Sequence, residues 1–502
     1  RGHVRAHAAG PPSPPARPVT ATLDSLRDAP AVRLAREALA GRGIAAWVVG
    51  GTVRDALLDR PVRDVDLAVD GSAEDAARAV ARAARGPAFP LSEEFGAWRA
   101  LAGGGAWVCD VSPLQAPTIE EDLALRDFSV NALAVPLEDG DGLLDPTGGR
   151  TDLDARVLRV LGGPSLESSA YARDPLRPLR LARLATELGF LPDADTERLT
   201  RDAAPSVTLA SPERIFAEVR RLVTAERVLE GLELADRLGL VAAVLPELDA
   251  LHGVEQSHFH HLDVHGHTVE VLRRLLEIER DPPAVFGADL APRVEAILDE
   301  PLADELTRRE ALRFAALLHD IGKPATRGER PDGRVTFIGH DSAGERIVDG
   351  ICRRLRTSER LRSYLGAITR THLVLGFMVH ERPLSRATVY RYLTTCQPVE
   401  IEVTVLSCAD RLATRGRNAD AAIAAHLELA RELLAEALRW REHGPPRPPV
   451  RGDELARELD LPAGPQIGAL LRRLEEARFT GEAETREEAL ALARRLRENP
   501  DR

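Results

Sequence analysis

The sequence predicts an α+β multidomain protein, with one mixed β-sheet domain near its N-terminus followed by all-helical domains. Residues from about 23 to 150 alternate short apolar strands with helical stretches, a pattern typical of a sheet covered by helices. From about residue 151 onward, leucine and alanine recur at spacings of three and four, which indicates helices. A chain of 502 residues is also too long for a single hydrophobic core, so several domains are expected.

Shifts in composition divide the chain into five predicted segments. The proline-rich N-terminal stretch is typical of a disordered tail, and the stretch REHGPPRPPVRG is a second proline-rich linker. The predicted segments are a tail at 1–22, a sheet domain at 23–150, a helical neck at 151–250, a histidine-rich helical domain at 251–440 and a helical module at 441–502.

The overall composition limits the classes of partner and compartment. A net charge of −12 argues against a protein coated with positive charge, although it allows a local basic groove for nucleic acid. The four cysteines are scattered without a pattern, which predicts unpaired thiols in a reducing cytoplasm. No apolar run approaches the length of a membrane span, and the first twenty residues have no apolar core typical of a secretory signal. We therefore expect a cytoplasmic protein without a membrane partner.

Two aspartates interrupt the apolar run from Val62 to Asp70, which reads as a strand. Residues two apart on a strand point to the same face, so Asp64 and Asp66 are expected to project together. Two adjacent carboxylates repel one another unless a cation lies between them. Oxygen ligands of this kind suit Mg²⁺, so the sequence predicts a magnesium site here.

A glycine turn lies just before this strand. Gly50 and Gly51 separate the apolar stretch AAWVV from the helix-like stretch TVRDALLD, and Arg54 falls in the first helical turn. At a junction of strand, glycine turn and helix, backbone N–H groups can contact a phosphate. Beside paired carboxylates, such a turn predicts a binding site for a nucleoside triphosphate.

Five motifs, in order over the first part of the chain, resemble the class II tRNA nucleotidyltransferase and bacterial poly(A) polymerase family. A sixth, C-terminal stretch resembles the tail of many of these enzymes. The stretches are GGTVRDALLDRPVRDVDLAV, IEEDLALRDFSVNALAV, DPTGGRTDLDARVLRVL, RDPLRPLRLARLATELGF, SPERIFAEVRRLV and LPAGPQIGALLRRLEEARFTGE.

This resemblance implies a palm-like nucleotidyltransferase sheet domain and a set of site residues. The implied reaction is attack of an RNA 3′-hydroxyl on the α-phosphate of a nucleoside triphosphate, assisted by Mg²⁺ at Asp64 and Asp66. Asp110, on the neighbouring strand GGAWVCDVSPL, would complete the carboxylate set. The residues implied to bind the triphosphate or shape its pocket are Gly50, Gly51, Arg54, Arg126, Asp127 and Asn131.

The stretch from residue 173 to 183 is predicted to be a helix with arginines along one face. Arg173, Arg177, Arg180 and Arg183 follow one another at spacings of four, three and three, a pattern typical of a solvated basic face. The family resemblance implies instead that Asp174 and Arg177, assisted by Arg180, recognise the edge of the incoming base.

Three residues depart from the family pattern. Leu125 and Arg173 stand where the family usually has arginine and glutamate, respectively. Pro178 falls in the predicted helix interior, where it should kink the helix or cost about 3 kcal/mol. These departures concern which base is added, because the predicted phosphate and metal residues are intact.

The second half of the chain carries a set of histidines and aspartates suited to a transition metal. The order His267, His319-Asp320, His340, His372 and Asp410 resembles the HD phosphohydrolase superfamily. The resemblance implies that these six groups hold divalent metal ions and generate a hydroxide for phosphoester hydrolysis. Lys323, the only lysine of the chain, could bind a phosphate there.

The leading functional hypothesis is a template-independent enzyme that adds CCA to tRNA 3′ ends from CTP and ATP, with an HD domain as a second hydrolytic site. One alternative within the family is partial specificity, as an A-adding, CC-adding or poly(A) polymerase. An alternative from another class is a metal-dependent HD phosphohydrolase whose N-terminal half only binds. The sequence leaves these alternatives open.

Overall fold

The computed structural model describes residues 23–62, 64–93, 95–138, 142–256, 262–414, 419–462 and 464–498. The predicted tail at 1–22 lies outside the described residues. By contacts between residues, the chain divides into two compact units. The first comprises Arg1–Ala210 with Arg237–Leu240, and the second Ser211–Asp236 with Val241–Arg502. The α+β class is confirmed, whereas the finer division into five segments stays a prediction.

The first unit contains a six-stranded mixed sheet in the order β3-β4-β5-β2-β1-β6. Strands β2 and β5 are parallel, and the other neighbouring pairs are antiparallel. The strands are β1 Ala45–Val49, β2 Val65–Asp70, β3 Ala88–Ser92, β4 Ala97–Leu101, β5 Val108–Pro113 and β6 Ala134–Pro136.

Strand β2 is shorter than the sequence predicts. It begins at Val65 rather than Val62, so Asp64 directly precedes the strand and Asp66 is its second residue. Pro61 has no N–H to give to a ladder, and the pairing with β5 begins only at Val65. Val65, Leu67 and Val69 are buried, which fixes the register because a shift by one residue would expose them.

Helices cover the sheet and continue into the helical part of the first unit. Helix α4 begins after Ser72, whose hydroxyl accepts a hydrogen bond from the backbone N–H of Asp75 and caps the helix. The helices are α1 Asp24–Asp28, α2 Pro30–Leu39, α3 Gly51–Leu57, α4 Ala73–Ala83, α5 Ile119–Ala124, α6 Gly149–Ala155, α7 Arg177–Leu188 and α8 Ala194–Ala203. A short parallel pair joins β7 Val157–Leu158 to β8 Leu191–Pro192.

The predicted arginine face on a helix from residue 173 is wrong, and the reason is local. Helix α7 begins only at Arg177, so Arg173 and Asp174 precede it. Pro178 is therefore in the first turn, where a proline lacks an N–H that would have no partner within the helix anyway. Arg183 is buried and pairs with Glu187 at 2.6 Å, so it does not belong to a solvated face.

The second unit is almost entirely helical. Its helices are α9 Pro212–Thr224, α10 Val228–Arg237, α11 Leu240–Val244, α12 Pro246–Asp249, α13 Val264–Arg280, α14 Pro282–Phe286, α15 Ala291–Leu298, α16 Arg308–Leu318, α17 Lys323–Thr326, α18 His340–Arg354, α19 Glu359–Thr371, α20 Val374–Met378, α21 Arg386–Cys396, α22 Glu400–Ala413, α23 Ala419–His443, α24 Gly452–Glu458, α25 Pro465–Thr480 and α26 Arg486–Glu498. Two short hairpins pair β9 Pro301–Ala303 with β10 Leu306–Thr307 and β11 Gly328–Glu329 with β12 Val335–Thr336.

Buried leucines, valines and alanines form the core of this unit. Helix α13 packs against α16 and α22, and α18 packs against α19. The C-terminal helices enclose an apolar cluster of their own around Leu455, Leu474 and Leu490. The four cysteines are buried and unpaired, as the sequence predicts. Within the described residues, no helix is both long enough and apolar enough to cross a membrane.

The position of Pro178 leads to a prediction about stability. Pro178→Ala should change the free energy of unfolding by no more than about 1 kcal/mol, because proline is compatible with a first helical turn. Ala185→Pro, in the interior of the same helix, should cost about 3 kcal/mol or more. Thermal denaturation of the two variants measures both effects. A large gain in stability for Pro178→Ala would show that the proline strains the helix.

Candidate active site and metal centre

Two of the three predicted catalytic carboxylates lie side by side on parallel strands. Asp66 of β2 is the register partner of Asp110 of β5, so both project from the same face of the sheet. Asp64 lies two residues before Asp66, just ahead of the strand. Partial desolvation within the fold and the charge of Asp110 raise the pKa of Asp66, although Arg126, Arg180 and Arg54 act in the opposite direction and the side chain remains open to solvent. Such a crowded carboxylate pair favours a bound cation.

Arg99 holds the carboxylate of Asp110. The two residues are cross-strand partners on β4 and β5. The guanidinium donates two hydrogen bonds, from Nε to Oδ1 at 2.7 Å and from Nη2 to Oδ2 at 2.8 Å. Such a bidentate pair fixes both the position and the orientation of a carboxylate. Asp110 is thus fixed by Arg99, a residue that the sequence did not single out.

The glycine turn lies directly beside these carboxylates. Gly50 has a positive φ of 68°, and a Cβ atom there would lie 2.9 Å from Nη1 of Arg126 and 3.9 Å from Oδ2 of Asp66. A side chain at this position would therefore enter the space between the arginine and the carboxylate. Thr52, in the following helix, accepts a hydrogen bond from the N–H of Asp66 at 2.9 Å. The turn and the aspartate strand are thereby fixed to one another.

A chain of hydrogen bonds connects this turn to helix α7. Arg54 is only 8 % exposed and donates to Asp55 and, at 2.6 Å, to Oδ1 of Asn131. Asn131 donates at 2.9 Å to Oδ1 of Asp127, whose Oδ2 lies 3.2 Å from Nη2 of Arg180. We refer to Arg54, Asn131, Asp127 and Arg180 as the arginine relay. Within it Arg54 has a positioning role, and its predicted contact with the triphosphate stays a prediction.

Asp127 is ionised within the relay. Burial raises its pKa, but the Arg180 guanidinium, the Asn131 amide and the N–H of Phe128 outweigh burial and lower the pKa to about 2. Arg126, which precedes it, lies 3.2 Å from Asp122.

The predicted base-reading residues surround the start of helix α7. Asp174 accepts a hydrogen bond from the N–H of Leu176 at 3.0 Å, before the helix begins. Arg177, the first helical residue, donates to the carbonyl oxygens of Arg126 and Ala170. Arg180, near the start of the helix, lies 3.2 Å from Asp127, and its charge lowers the pKa of Asp66. Their role in base selection stays a prediction.

The predicted HD residues come together in the second unit. His319, His340 and His372 each use Nδ1 to contact a backbone carbonyl oxygen three residues earlier, at 2.7–2.8 Å. A carbonyl oxygen only accepts, so Nδ1 carries the proton and, in the neutral ring, Nε2 presents a lone pair. The Nε2 atoms of His340 and His372 lie 3.3 Å apart, facing one another. Two facing lone pairs favour a cation between them.

Asp320 lies at the centre of this cluster. Its carboxylate oxygens are 3.2–3.8 Å from Nε2 of all four histidines, namely His267, His319, His340 and His372. Lys323 lies 2.6 Å from the same carboxylate, and Asp410 lies 2.9 Å from His267. The six predicted ligands form two groups that could each hold a metal ion, His267 with His319 and Asp410, and Asp320 with His340 and His372.

The titratable groups of the cluster perturb one another. Burial lowers the pKa of His319, but the charges of Asp320 and Asp410 outweigh burial and raise it. Burial raises the pKa of Asp320, but His319 and Lys323 outweigh burial and hold the pKa well below its usual range. Burial and the charge of His319 lower the pKa of His372 to about 4, so this imidazole is neutral at pH 7. Ionised carboxylates and neutral imidazoles form the donor set that divalent transition metals require.

Family models match three parts of the chain. The poly A polymerase head domain matches residues 46–103 and 92–159. The probable RNA and SrmB-binding site of polymerase A matches residues 189–251, and the HD domain matches residues 264–415. The matches follow the order that the sequence motifs predict.

Curated relatives resemble the chain over nearly its whole length. The A-adding tRNA nucleotidyltransferase of Deinococcus radiodurans is 36% identical, with 90% of this chain and 96% of that protein covered. The CC-adding tRNA nucleotidyltransferase of Thermus thermophilus is 34% identical, with 89% and 92% covered. The multifunctional CCA protein of Xanthomonas oryzae is 32% identical, with 88% and 99% covered.

Solved structures share the fold. A CCA-adding enzyme of Thermotoga maritima complexed with tRNA superposes with a TM-score of 0.59 at 21% identity, covering 95% of this chain and 98% of that one. A complex of a CCA-adding enzyme with CTP superposes with a TM-score of 0.61 at 20% identity, covering 97% and 99%.

The arginine relay leads to a prediction about stability and pH. Asp127→Asn keeps the shape of the side chain but removes the charge facing Arg180, and should cost about 2 kcal/mol at pH 7. The contribution is present above the unfolded-state pKa of about 3.9 and is lost as the pH falls towards 2, because the folded-state pKa is depressed. Melting temperatures of the wild type and the variant should therefore converge below about pH 4.

The matched control is Asp195→Asn, an exposed aspartate 3.4 Å from Arg198. Because an exposed ion pair contributes little to the free energy of unfolding, this variant should have the same melting temperature as the wild type. An Asp127→Asn variant as stable as the control at pH 7 would contradict a stabilising role for the relay.

Proposed function

The chain belongs to the family of tRNA nucleotidyltransferases with a poly(A) polymerase head domain and an HD domain, and we propose that it completes the CCA end of tRNA. It is a nucleotidyltransferase, and CTP and ATP are its proposed substrates, added without a nucleic-acid template. A cytoplasmic location is part of the proposal. It fits an enzyme that acts on tRNA and has unpaired thiols, and no helix among the described residues could cross a membrane.

One observation carries this proposal most strongly. Asp66 and Asp110 face one another across parallel strands, with Asp64 adjacent, directly beside a glycine turn and Arg126. The carboxylates fit a divalent cation with a preference for oxygen, and the turn fits phosphate. Binding of a nucleoside triphosphate with Mg²⁺ uses both features side by side.

Each residue of the site has its own role in the proposed reaction. Mg²⁺ held by Asp64 and Asp66 would activate the RNA 3′-hydroxyl and stabilise the leaving pyrophosphate. Gly50 and Gly51 let the backbone approach the phosphates closely, and Arg126 offers a guanidinium beside them. Asp110, oriented by Arg99, keeps negative charge next to Asp66 and so favours binding of the cation.

Side chains at the start of helix α7 would serve in place of a template. Asp174 supplies acceptors and Arg177 supplies donors, a combination that can pair with the edges of both cytosine and adenine. Arg180 is oriented by Asp127 through the arginine relay. The relatives are named for A addition, CC addition and complete CCA addition, so the range of nucleotides used is what the experiment must decide.

A second activity is favoured by the HD cluster. We propose that its six ligands bind divalent transition metal ions and support phosphoester hydrolysis. Lys323, 2.6 Å from Asp320 and with its ammonium 5.5 Å from the centre of the Phe337 ring, lies where it can contact a phosphate.

Incorporation of labelled CTP and ATP, separately and together, tests the transferase proposal. The substrates are tRNAs lacking one, two or three 3′ nucleotides, with Mg²⁺. We expect C and then A to be added, with a stop after the third nucleotide. Asp64→Ala and Asp66→Ala should each lose at least about 10³-fold in rate, because the cation loses a ligand.

Different outcomes separate the alternatives within and outside the family. Incorporation of ATP alone would reassign the enzyme to A addition, and incorporation of CTP alone to CC addition. Long A tails would reassign it to poly(A) synthesis. Unchanged incorporation by both aspartate variants would contradict the assigned site. No incorporation by the folded wild type would leave the HD domain as the working part and the N-terminal half as a binding module.

Metal analysis tests the HD proposal separately. His319→Ala and Asp320→Ala should bind less Zn²⁺, Co²⁺ or Ni²⁺ than the wild type, because each removes a donor at the centre of the cluster. His380→Ala, an exposed histidine elsewhere in this unit, is the control. Metal content equal to the wild type in both cluster variants would exclude these residues as ligands.

A further inference from the structure

A second group of possible metal ligands lies outside the HD cluster. Asp236 is the next-to-last residue of helix α10, His252 lies in the turn after α12, and His265 is the second residue of α13. We call these three residues the outer cluster. His265 and His267 are two positions apart on α13, about 200° around the helix axis. His267 therefore points into the HD cluster, while His265 points away from it.

The backbone holds two of the three segments in place independently of the rings. The N–H of Val264 donates to the carbonyl oxygen of Val254, and the N–H of His265 donates to that of Leu251. Asp263 caps α13 with one carboxylate oxygen on the N–H of Gly266 at 2.7 Å, and its other oxygen accepts from the N–H of Gly253 at 2.8 Å. The turn and the helix start are thus fixed together, which preorganises His252 and His265.

The side chains of the outer cluster lie against one another. The imidazole rings of His252 and His265 stack with centroids 3.6 Å apart and planes at 25°. Oδ1 of Asp236 lies 3.2 Å from Nε2 of His252, and one donor atom from each of the three residues lies within 4.8 Å of the other two. With metal–ligand bonds of about 2.0–2.1 Å, two ligands of a tetrahedral zinc ion are about 3.3 Å apart. The aspartate and His252 already have this separation.

The surroundings add negative charge. Asp236 and His265 lie in the wall of a cleft of about 830 Å³, whose lining carries six carboxylates against the three arginines Arg227, Arg273 and Arg280. Asp236 and His252 are partly open to solvent, with side chains 29% and 42% exposed, so a hydrated ion can reach them. An acidic surrounding attracts a divalent cation before any ligand binds it.

We propose that the outer cluster binds one divalent transition ion of the Zn²⁺ class, separate from the HD and nucleotidyltransferase sites. Two imidazoles and one carboxylate suit such an ion, and three protein ligands leave a fourth position for water. The ion would link the end of α10, the turn after α12 and the first turn of α13. It would thereby stabilise the helix start that carries His267. The proposal does not depend on the transferase activity.

Metal stoichiometry of the full chain tests the proposal. The protein is stripped with a chelator, reloaded with Zn²⁺ or Co²⁺, passed through gel filtration and analysed for metal. We expect His252→Ala and His265→Ala each to contain one equivalent less than the wild type. His443→Ala, an exposed histidine whose Nδ1 contacts the carbonyl oxygen of Arg439, is the matched control and should lose none.

A second measurement separates this ion from those of the HD cluster. A His319→Ala, Asp320→Asn variant should keep one equivalent, and its melting temperature should rise on addition of Zn²⁺. The further change His252→Ala should abolish both the equivalent and the rise. If the HD variant does not fold, the stoichiometry of His252→Ala in the otherwise unaltered chain still decides.

Two results would overturn the proposal. The first is full metal content in both His252→Ala and His265→Ala, which would leave the outer cluster as a hydrogen-bonded, stacked pair. The second is an equal loss in His443→Ala, which would show unspecific binding to surface histidines.

Discussion

Both sites depend on carboxylates that are held where their negative charge must be compensated. Asp66 and Asp110 are brought into register by the pairing of two parallel strands, and Asp320 is buried among four histidines. At the first site two like charges lie side by side and repel one another, and at the second burial disfavours the ionised form of Asp320, so both arrangements require positive charge nearby. The surrounding structure supplies that charge in two ways. Arginines, or Lys323 at the HD cluster, lie beside the carboxylates, and the donor atoms can bind metal ions that bring positive charge. Many of the residues around each site therefore compensate the negative charge of its carboxylates.

Arginine suits this purpose in the first unit. A guanidinium presents several donors in one plane, so it can fix the direction of a carboxylate as well as offset its charge. Arg99 does this for Asp110 with two hydrogen bonds. At the two ends of the relay, Arg54 donates to the amide oxygen of Asn131 and Arg180 pairs with the carboxylate of Asp127. A lysine would offset the charge at these positions without fixing the geometry.

The sequence predicted the fold class and the grouping of the HD residues well, and the geometry of the first site less well. The resemblance of their order to the HD phosphohydrolase superfamily was enough to single out His267, His319, Asp320, His340, His372 and Asp410, whose side chains suit a metal centre. The role of Arg99 is not predictable from the sequence, because its partner lies eleven residues away, across a hairpin whose register the sequence does not state. The arginine spacing indicates a helix that begins before Arg177, which is not what the structure has. Pro178 is the residue that favours the observed start, because proline is typical of a first helical turn.

The relay also explains how the departures from the family pattern are accommodated. It runs from Arg54, beside the glycine turn, to Arg180, beside the predicted base-reading residues. The relay thereby fixes the glycine turn and the start of helix α7 with respect to one another, and these are the regions proposed to bind the phosphates and the base of the nucleotide. Leu125 and Arg173 are not members of the relay, so their side chains can differ from the family pattern without breaking it.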